Sequence, residues 1–301
     1  WLTAPNALEL LTSGTSLKGS ASPLLPSPER ARQGIDVVFP ILHGTFGEDG
    51  TVQGFLELAG VPYVGAGVLA SALGMDKIIQ KQLFAAAGLP IVPFQWYASR
   101  EVKKAGRRIV EHAEKAFGYP AFVKPANMGS SIGITKAHDR QELLAGLREA
   151  IRFDRKILVE KGVPHAREIE VAVLGNHDPK ASVPGEIISS NEFYDYNAKY
   201  VDGKSVTHIP AQLPPRLARQ LQNLALRAFR TLDASGMARV DFLLSGNGKR
   251  VYVNEVNTIP GFTPISMYAK LWEASGVPFS KLLDRLIALA LARHKETQRL
   301  V

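Results

Sequence analysis

Asp241, Glu255 and Asn257 flank Ser245-Gly246-Asn247-Gly248-Lys249, a hairpin signal between two strand-like runs, Ala238 to Leu244 and Arg250 to Asn257. Strand side chains alternate, so Glu255 and Asn257 share a face, as do Arg239 and Asp241. A pairing symmetric about Asn247 sets Arg239 opposite Glu255 and Asp241 opposite Val253, with Asp241 diagonal to Glu255 at roughly 7–8 Å. A cation spans such a gap. Two carboxylates and an amide oxygen are hard donors of the kind Mg²⁺ takes, completed by water and phosphate oxygens. The rival reading is a solvated face with an Arg239–Glu255 ion pair. The run into Thr258-Ile259-Pro260-Gly261, where the backbone opens, favours the ligand.

A second candidate is Lys124-Pro125-Ala126-Asn127-Met128-Gly129-Ser130-Ser131-Ile132-Gly133, between two short strands. Gly129 and Gly133 let backbone N–H groups converge on phosphate oxygens, Ser130 and Ser131 add hydroxyls, and Lys124 supplies a point charge. The order G-x-x-x-x-G-K-[ST] is absent and a strand follows, so this is no Walker A loop. Alone, such a turn is more often a plain hairpin. Its weight comes from Lys77 in Gly74-Met75-Asp76-Lys77, from Glu160-Lys161-Gly162-Val163 at a strand end, and from Glu168. A strand-end Glu-Lys followed by apolar backbone suits an adenine edge, and a second carboxylate suits ribose hydroxyls. His43, closing a buried strand in Leu42-His43-Gly44, faces the usual ligand crevice of an α/β sheet or is a structural histidine.

These residues need scaffolding. Residues 12 to 34 are rich in Ser, Gly and Pro and read as irregular surface. Ile35 to Leu42 is a continuous apolar run of strand length, Thr51 to Ala59 reads as a helix, and 61–64 as a strand, which is βαβ grammar. Apolar spacing predicts one helix from Ser71 to Ala87. Strands follow at 91–94, 121–124, 132–136 and 157–160, with helices near 101–117 and 139–152; then strands at 168–174 and 183–188, a Tyr-rich loop from Asn191 to Val206, a helix at 215–232, the hairpin, and a last helix at 278–294.

The 301 residues allow two or three domains, and 36 Lys+Arg against 28 Asp+Glu leave +8. That charge is scattered over helices such as the one bearing Arg216, Arg219, Arg227 and Arg230, with no basic run of five and no aromatic-interleaved basic strand. Attraction for an anionic ligand explains it better than nucleic acid. Without cysteine there is no thiol chemistry and no disulfide, which suits a reducing compartment. No apolar run approaches membrane-spanning length.

Taken together, Leu42-His43-Gly44 with Gly47-Glu48-Asp49-Gly50, Met75-Asp76-Lys77, Val123-Lys124-Pro125 with Gly129-Ser130-Ser131-Ile132-Gly133, Tyr194-Asp195-Tyr196-Asn197-Ala198-Lys199-Tyr200, Ala238-Arg239-Val240-Asp241 and Asn254-Glu255-Val256-Asn257-Thr258-Ile259-Pro260-Gly261-Phe262-Thr263 resemble the bacterial D-alanine:D-alanine ligases of the ATP-grasp superfamily, over about residues 35 to 294. The resemblance implies an α/β and α+β chain of three domains: a partial Rossmann-like unit over 1–74, a central ATP-grasp domain over 75–165, and a C-terminal one over 166–301. It implies phosphoryl transfer from ATP to one D-alanine carboxylate and attack on the acyl phosphate by the amine of a second, with two Mg²⁺, or Mn²⁺ in their place, on Asp241, Glu255 and Asn257.

By the same resemblance, Lys77, Lys124, Ser130, Ser131, Glu160, Lys161, Val163, Glu168, Phe193 and Lys199 contact the nucleotide, with Phe193 packing near the adenine or its loop. Arg239 and the N–H of Gly261 stabilise the tetrahedral oxyanion. His43 belongs to the first substrate subsite and Ser266 to the second. Ser130 and Tyr200 tie the Gly-rich loop to the Tyr-rich loop over the substrates, and Tyr200 favours dipeptide over depsipeptide product. A cytoplasmic homodimer that contacts neither nucleic acid nor membrane is the family expectation. The family's opening Gly-rich turn and His-Glu-Val-Ser block have no counterpart, and Trp1-Leu2 resembles a strand that normally follows them, so the first βαβ portion is expected to be missing. The alternatives are a D-alanine:D-lactate or other carboxylate–amine ligase of this fold, or a nucleotide-binding module without turnover.

Overall fold

The computed structural model describes residues 34–129, 131–188, 206–246, 248–263 and 266–299. Its first part holds helices α1 (Thr51–Leu58), α2 (Val68–Met75) and α3 (Lys77–Ala86). The expected strands at 35–42 and 61–64 reduce to a single parallel bridge between Val38 and Tyr63, and Ile35 is 42% exposed. An apolar run becomes a strand only where neighbours complete its ladder on both sides. The single helix expected over 71–87 is two, because Asp76 leaves helical geometry to cap α3, its carboxylate accepting from the N–H groups of Ile78 and Ile79 at 3.1 and 3.2 Å. That break puts Lys77 at the first position of α3.

Next come β1 (Phe94–Ala98), α4 (Ser99–Phe117), β2 (Ala121–Pro125), β3 (Thr135–Ala137), α5 (Arg140–Ala150) and β4 (Lys156–Lys161). Their strands form an antiparallel sheet in the order β1-β4-β2-β3. Alternation sorts the faces. Ala121, Val123, Ile157 and Val159 pack on Val102, Ile109, Val110, Leu143 and Leu147 of α4 and α5. Phe122, Lys124 and Glu160 point to the other face, where α3 covers part of the surface through Ile78.

The rest is β5 (Arg167–Gly175), β6 (Lys180–Ala181), β7 (Gly185–Ile188), β8 (Val206–His208), α6 (Pro215–Thr231), β9 (Gly236–Leu244), β10 (Val251–Asn257), α7 (Met267–Ala274) and α8 (Phe279–Gln298). These strands make a second antiparallel sheet, β10-β9-β5-β7-β8, with β6 paired to the far end of β5. One face packs Ile169, Val171, Val240, Phe242 and Val253 on Leu221, Leu224 and Phe229 of α6. On the other face α7 and α8 cover only the half around Ala172, Leu174 and Met237. The uncovered half carries Glu168, Glu170, Arg239 and Asp241, and it meets the open face of the first sheet across a cavity. Helix α7 was not anticipated: eight residues, five of them buried, lack the polar stripe that marks an amphipathic helix.

Candidate active site between two sheets

The two open faces enclose about 940 Å³. The described residues to which the resemblance gives a role line this cavity: His43 and Ser266, Lys77, Lys124 and Ser131, Glu160, Lys161, Val163 and Glu168, Arg239 and Gly261, and Asp241, Glu255 and Asn257. Ser130, Phe193, Lys199 and Tyr200 lie outside the described residues.

The hairpin differs from the symmetric expectation. Ser245 pairs with Arg250 across a four-residue turn, and between Val253 and Glu255 the register slips once more, so Asp241 sits directly opposite Glu255 and Arg239 opposite Asn257. The slip is a β-bulge, and it reverses the phase of β10. Val251 and Val253 face the core before it and Val256 after it, which turns Glu255 and Asn257 to the cavity. A change from two-residue to three-residue spacing of the valines was the available signal.

The ion pair of the rival reading, Arg239 with Glu255, does not form; Arg239 pairs with Asp241 and Glu170. Its Nε and Nη2 donate to the two oxygens of Asp241, both at 2.7 Å, and its Nε lies 3.0 Å from Glu170 Oε2. Burial works against the Arg239 charge, but Asp241, Glu170 and Glu255 outweigh it and hold a permanent cation. Asn257 Nδ2 donates to Asp241 Oδ2 at 2.9 Å. Among the described residues no three His, Cys, Asp or Glu side chains form a metal cage. The set suits an ion that brings water and phosphate oxygens instead. Asp241 and Glu255 are cross-strand neighbours, Asn257 adds an amide, and both carboxylates already attract cations, with Lys77 Nζ at 3.5 Å from Glu255 Oε2.

Across the cavity, Lys124 Nζ is 2.5 Å from Glu160 Oε1, and Lys81 Nζ is 2.9 Å from Glu160 Oε2. Burial alone would raise the Glu160 carboxyl; Lys124 and Lys81 overcome it and bring its pKa down to about 2. Burial pulls the Lys81 ammonium down despite that partner, whereas Glu160 keeps Lys124 above the ordinary lysine value against burial. Sequence reasoning gave Glu160 an adenine edge; its carboxylate instead anchors two lysines. At the strand end, Lys161 N–H donates to Pro93 O and Gly162 N–H to Pro120 O, which fixes the segment that presents Val163.

In the Gly-rich turn, Lys77 Nζ donates to Met128 O at 2.8 Å, and Asn127 is fastened to Asp154 through both its backbone and side-chain nitrogens. Gly129 and Ser131 line the cavity. Gly133 was expected to serve the same cradle. It has φ +70°, and a Cβ there would meet Phe153 at 2.7 Å and Pro125 at 2.9 Å, so glycine is required for packing. His43 Nδ1 is 3.5 Å from Glu48 Oε1, and the hydrogen bond to Glu48 raises the imidazole above its ordinary value against partial burial. Ser266 Oγ accepts from Thr263 N–H at 2.9 Å at the start of α7. Sequence reasoning gave no role to Lys81 or Glu170, and quoted Glu48 only within a glycine-rich block. Buried charged side chains on a helix stripe or a central strand carry no local signature.

Comparison with known proteins gives consistent results. A family model described as D-ala D-ala ligase C-terminus matches residues 83–288, and one described as D-ala D-ala ligase N-terminus matches residues 9–66, extending the likeness ahead of residue 35. A D-alanine–D-alanine ligase of Heliobacterium modesticaldum is 50% identical over 310 residues, covering 99% of this chain and 84% of that protein. One from Thermoanaerobacter pseudethanolicus is 56% identical over 268 residues, covering 88% of this chain and 73% of that protein. Among solved structures, the D-alanine-D-alanine ligase from Coxiella burnetii superposes with TM-score 0.77 at 42% identity, covering 88% of this chain and 70% of that one. The VanG D-Ala:D-Ser ligase from Enterococcus faecalis gives TM-score 0.76 at 39% identity, covering 85% and 73%.

Proposed function

The chain belongs to the D-alanine:D-alanine ligase family of ATP-grasp enzymes, and from that premise we propose how its residues divide the work of joining two D-alanines. The enzyme makes D-alanyl-D-alanine for peptidoglycan precursors, using ATP. The observation that carries the assignment of roles is the gathering in one cavity between two sheets of the described residues to which the resemblance gives a role.

Phosphoryl transfer needs charge neutralisation and in-line placement more than covalent chemistry from the protein. We assign Lys124, held by Glu160, and Lys77, held between Met128 and Glu255, to the phosphates, joined by Ser130, Ser131 and Lys199. Val163, Lys161 and Phe193 take the adenine, with the backbone of Glu160, and Glu168 the ribose. Asp241, Glu255 and Asn257 would hold two Mg²⁺, for which Mn²⁺ could substitute. Bound there, the ions would offset charge on the transferring phosphoryl group. His43, oriented by Glu48, serves the first D-alanine, and Ser266 the carboxylate of the second. Arg239 and Gly261 N–H donate to the oxyanion formed when the second amine attacks. Ser130 and Tyr200 close the loops and exclude water from the acyl phosphate.

We assign residues 1–74, 75–165 and 166–301 to three domains, the second and third each built on one of the two sheets. Among the described residues no helix is long and apolar enough to cross a membrane. A cytoplasmic homodimer that contacts no nucleic acid completes the reading, on family grounds. The test is phosphate release from ATP with Mg²⁺, which should require D-alanine and yield D-alanyl-D-alanine. Release independent of D-alanine, or a product that incorporates D-lactate in preference, overturns it.

A further inference from the structure

Glu170 has no part in the reaction as assigned above, yet it is a buried carboxylate, 5% exposed, on the site face of the central strand β5. The ladder sets it directly opposite Asp241, which is itself directly opposite Glu255. Three acidic side chains therefore form one row across β5, β9 and β10. Arg239 lies astride two of them. Its fork occupies both oxygens of Asp241 at 2.7 Å, while its Nε also lies 3.0 Å from Glu170. Asn257 takes a further position on Asp241 Oδ2.

That arrangement creates a competition. A carboxylate offers about four lone-pair directions, and a guanidinium fork claims the two best aligned. A divalent cation held by Asp241 and Glu255 would compete with Arg239 for the Asp241 oxygens. A guanidinium released from one buried partner with no other is left uncompensated, which is strongly unfavourable. Glu170 stands on the side of β9 away from Glu255, so it can keep the guanidinium without competing for the ion.

We propose that Glu170 is the positioning residue that retains Arg239 when a divalent cation claims Asp241, coupling ion binding to the placement of the oxyanion donor. The exchange moves no proton and breaks no covalent bond. It rests on the hairpin being the cation site. Without Glu170, Arg239 has Asp241 as its remaining neighbour of the pair, so it competes with the ion and is unheld once displaced.

The test is Mn²⁺ affinity in the presence of ADP, read by electron paramagnetic resonance of free Mn²⁺, in wild type, Glu170→Gln, Arg239→Met and the double variant. Glu170→Gln should weaken Mn²⁺ about tenfold or more, the usual cost of removing a residue that orients a ligand. In the Arg239→Met background the same change should have little effect. Equal weakening in both backgrounds would mean Glu170 acts only through its negative charge, and no weakening in wild type overturns the proposal outright. At saturating Mn²⁺, kcat should stay low in Glu170→Gln while KM for ATP is unchanged; full recovery of kcat also overturns it. If Glu170→Gln does not fold, judged by circular dichroism, Glu170→Asp keeps the charge and withdraws it. It should show a smaller loss that again depends on Arg239, and no loss overturns the proposal. Asp241→Asn separates the two levels: unchanged Mn²⁺ binding there removes the hairpin reading and this proposal with it. Binding lost in Asp241→Asn but unmoved by Glu170→Gln overturns this proposal alone.

Discussion

Glu160 shows how much one side chain sets. It holds two buried ammonium groups, so replacing it strands both. Glu160→Gln is expected to cost about 3–5 kcal/mol in denaturant unfolding, the typical penalty for breaking a buried pair from one side. The sign of its pH dependence follows from a folded pKa of about 2, below the ordinary glutamate value: its stabilisation is complete above the unfolded value and lost as pH falls towards 2. The acid limb of the stability curve should flatten in Glu160→Gln. His43 works in the opposite sense. Its folded pKa is raised by Glu48, so that pair stabilises at pH below the unfolded value and the contribution fades as pH rises through the folded one. An NMR titration of the His43 ring should give a midpoint that falls in Glu48→Gln; an unmoved midpoint would contradict the pairing. At the hairpin, Glu255→Gln should abolish turnover while leaving the melting temperature close to wild type, since the residue is partly exposed and its proposed role is to hold an ion.

Helix α3 is the element that joins these groups. Lys77, Gln80 and Lys81 lie at i, i+3 and i+4, hence on one stripe. Lys77 reaches Glu255 and Met128, and Lys81 holds Glu160. Gln80 treats β10 as a neighbouring strand would, accepting from Val256 N–H at 2.8 Å and donating to Val256 O at 3.2 Å. The stripe starts where it does because Asp76 caps the helix while pairing with Lys156. Asp76→Ala should cost about 1 kcal/mol or more through the lost cap and raise KM for ATP through displaced Lys77, whereas Asp76→Asn, which can still cap, should retain most of the stability in thermal melts. The apolar spacing at 78, 79, 83 and 84 made a helix legible in the sequence, and the hairpin and Gly-rich turn, which both reach the cavity, were legible as candidates because glycines and carboxylates stand close together in the chain. The polar stripe was not. Apart from the Gly74 carbonyl that Gln80 also meets, its partners lie far along the chain, as Lys77 to Met128 and Gln80 to Val256 show at separations of 51 and 176. The strands expected over 35–42 and 61–64 failed for a related reason, since pairing is a property of neighbours.

At the scale of the molecule, two antiparallel sheets face each other across a cavity, with Lys124 and Glu160 on the first sheet and Glu168, Glu170, Arg239, Asp241 and Glu255 on the second. Ligand that bridges them binds only the folded chain. ADP with Mg²⁺ at a hundred times its Kd should therefore raise unfolding free energy by about 2.7 kcal/mol, seen as a higher melting temperature that Glu255→Gln largely removes. The first described residues are tied to the last helix. Val37, Phe39 and Ile41 pack against the cluster holding Leu282 and Leu286, and Arg293 donates to the carbonyls of Tyr63 and Gly65 and to Ser235 while stacking 4.4 Å from the Tyr63 ring. Arg293 and Tyr63 are separated by 230 positions. At roughly 5–20 residues per second, a ribosome adds that stretch in about ten to fifty seconds. Throughout that interval the segment bearing His43 has been made but lacks part of the surface it docks on, so completion of the subsite we propose around His43 waits on synthesis of α8. Both sheets can assemble earlier, and a nascent chain halted before residue 293 should already bind nucleotide more readily than it binds D-alanine.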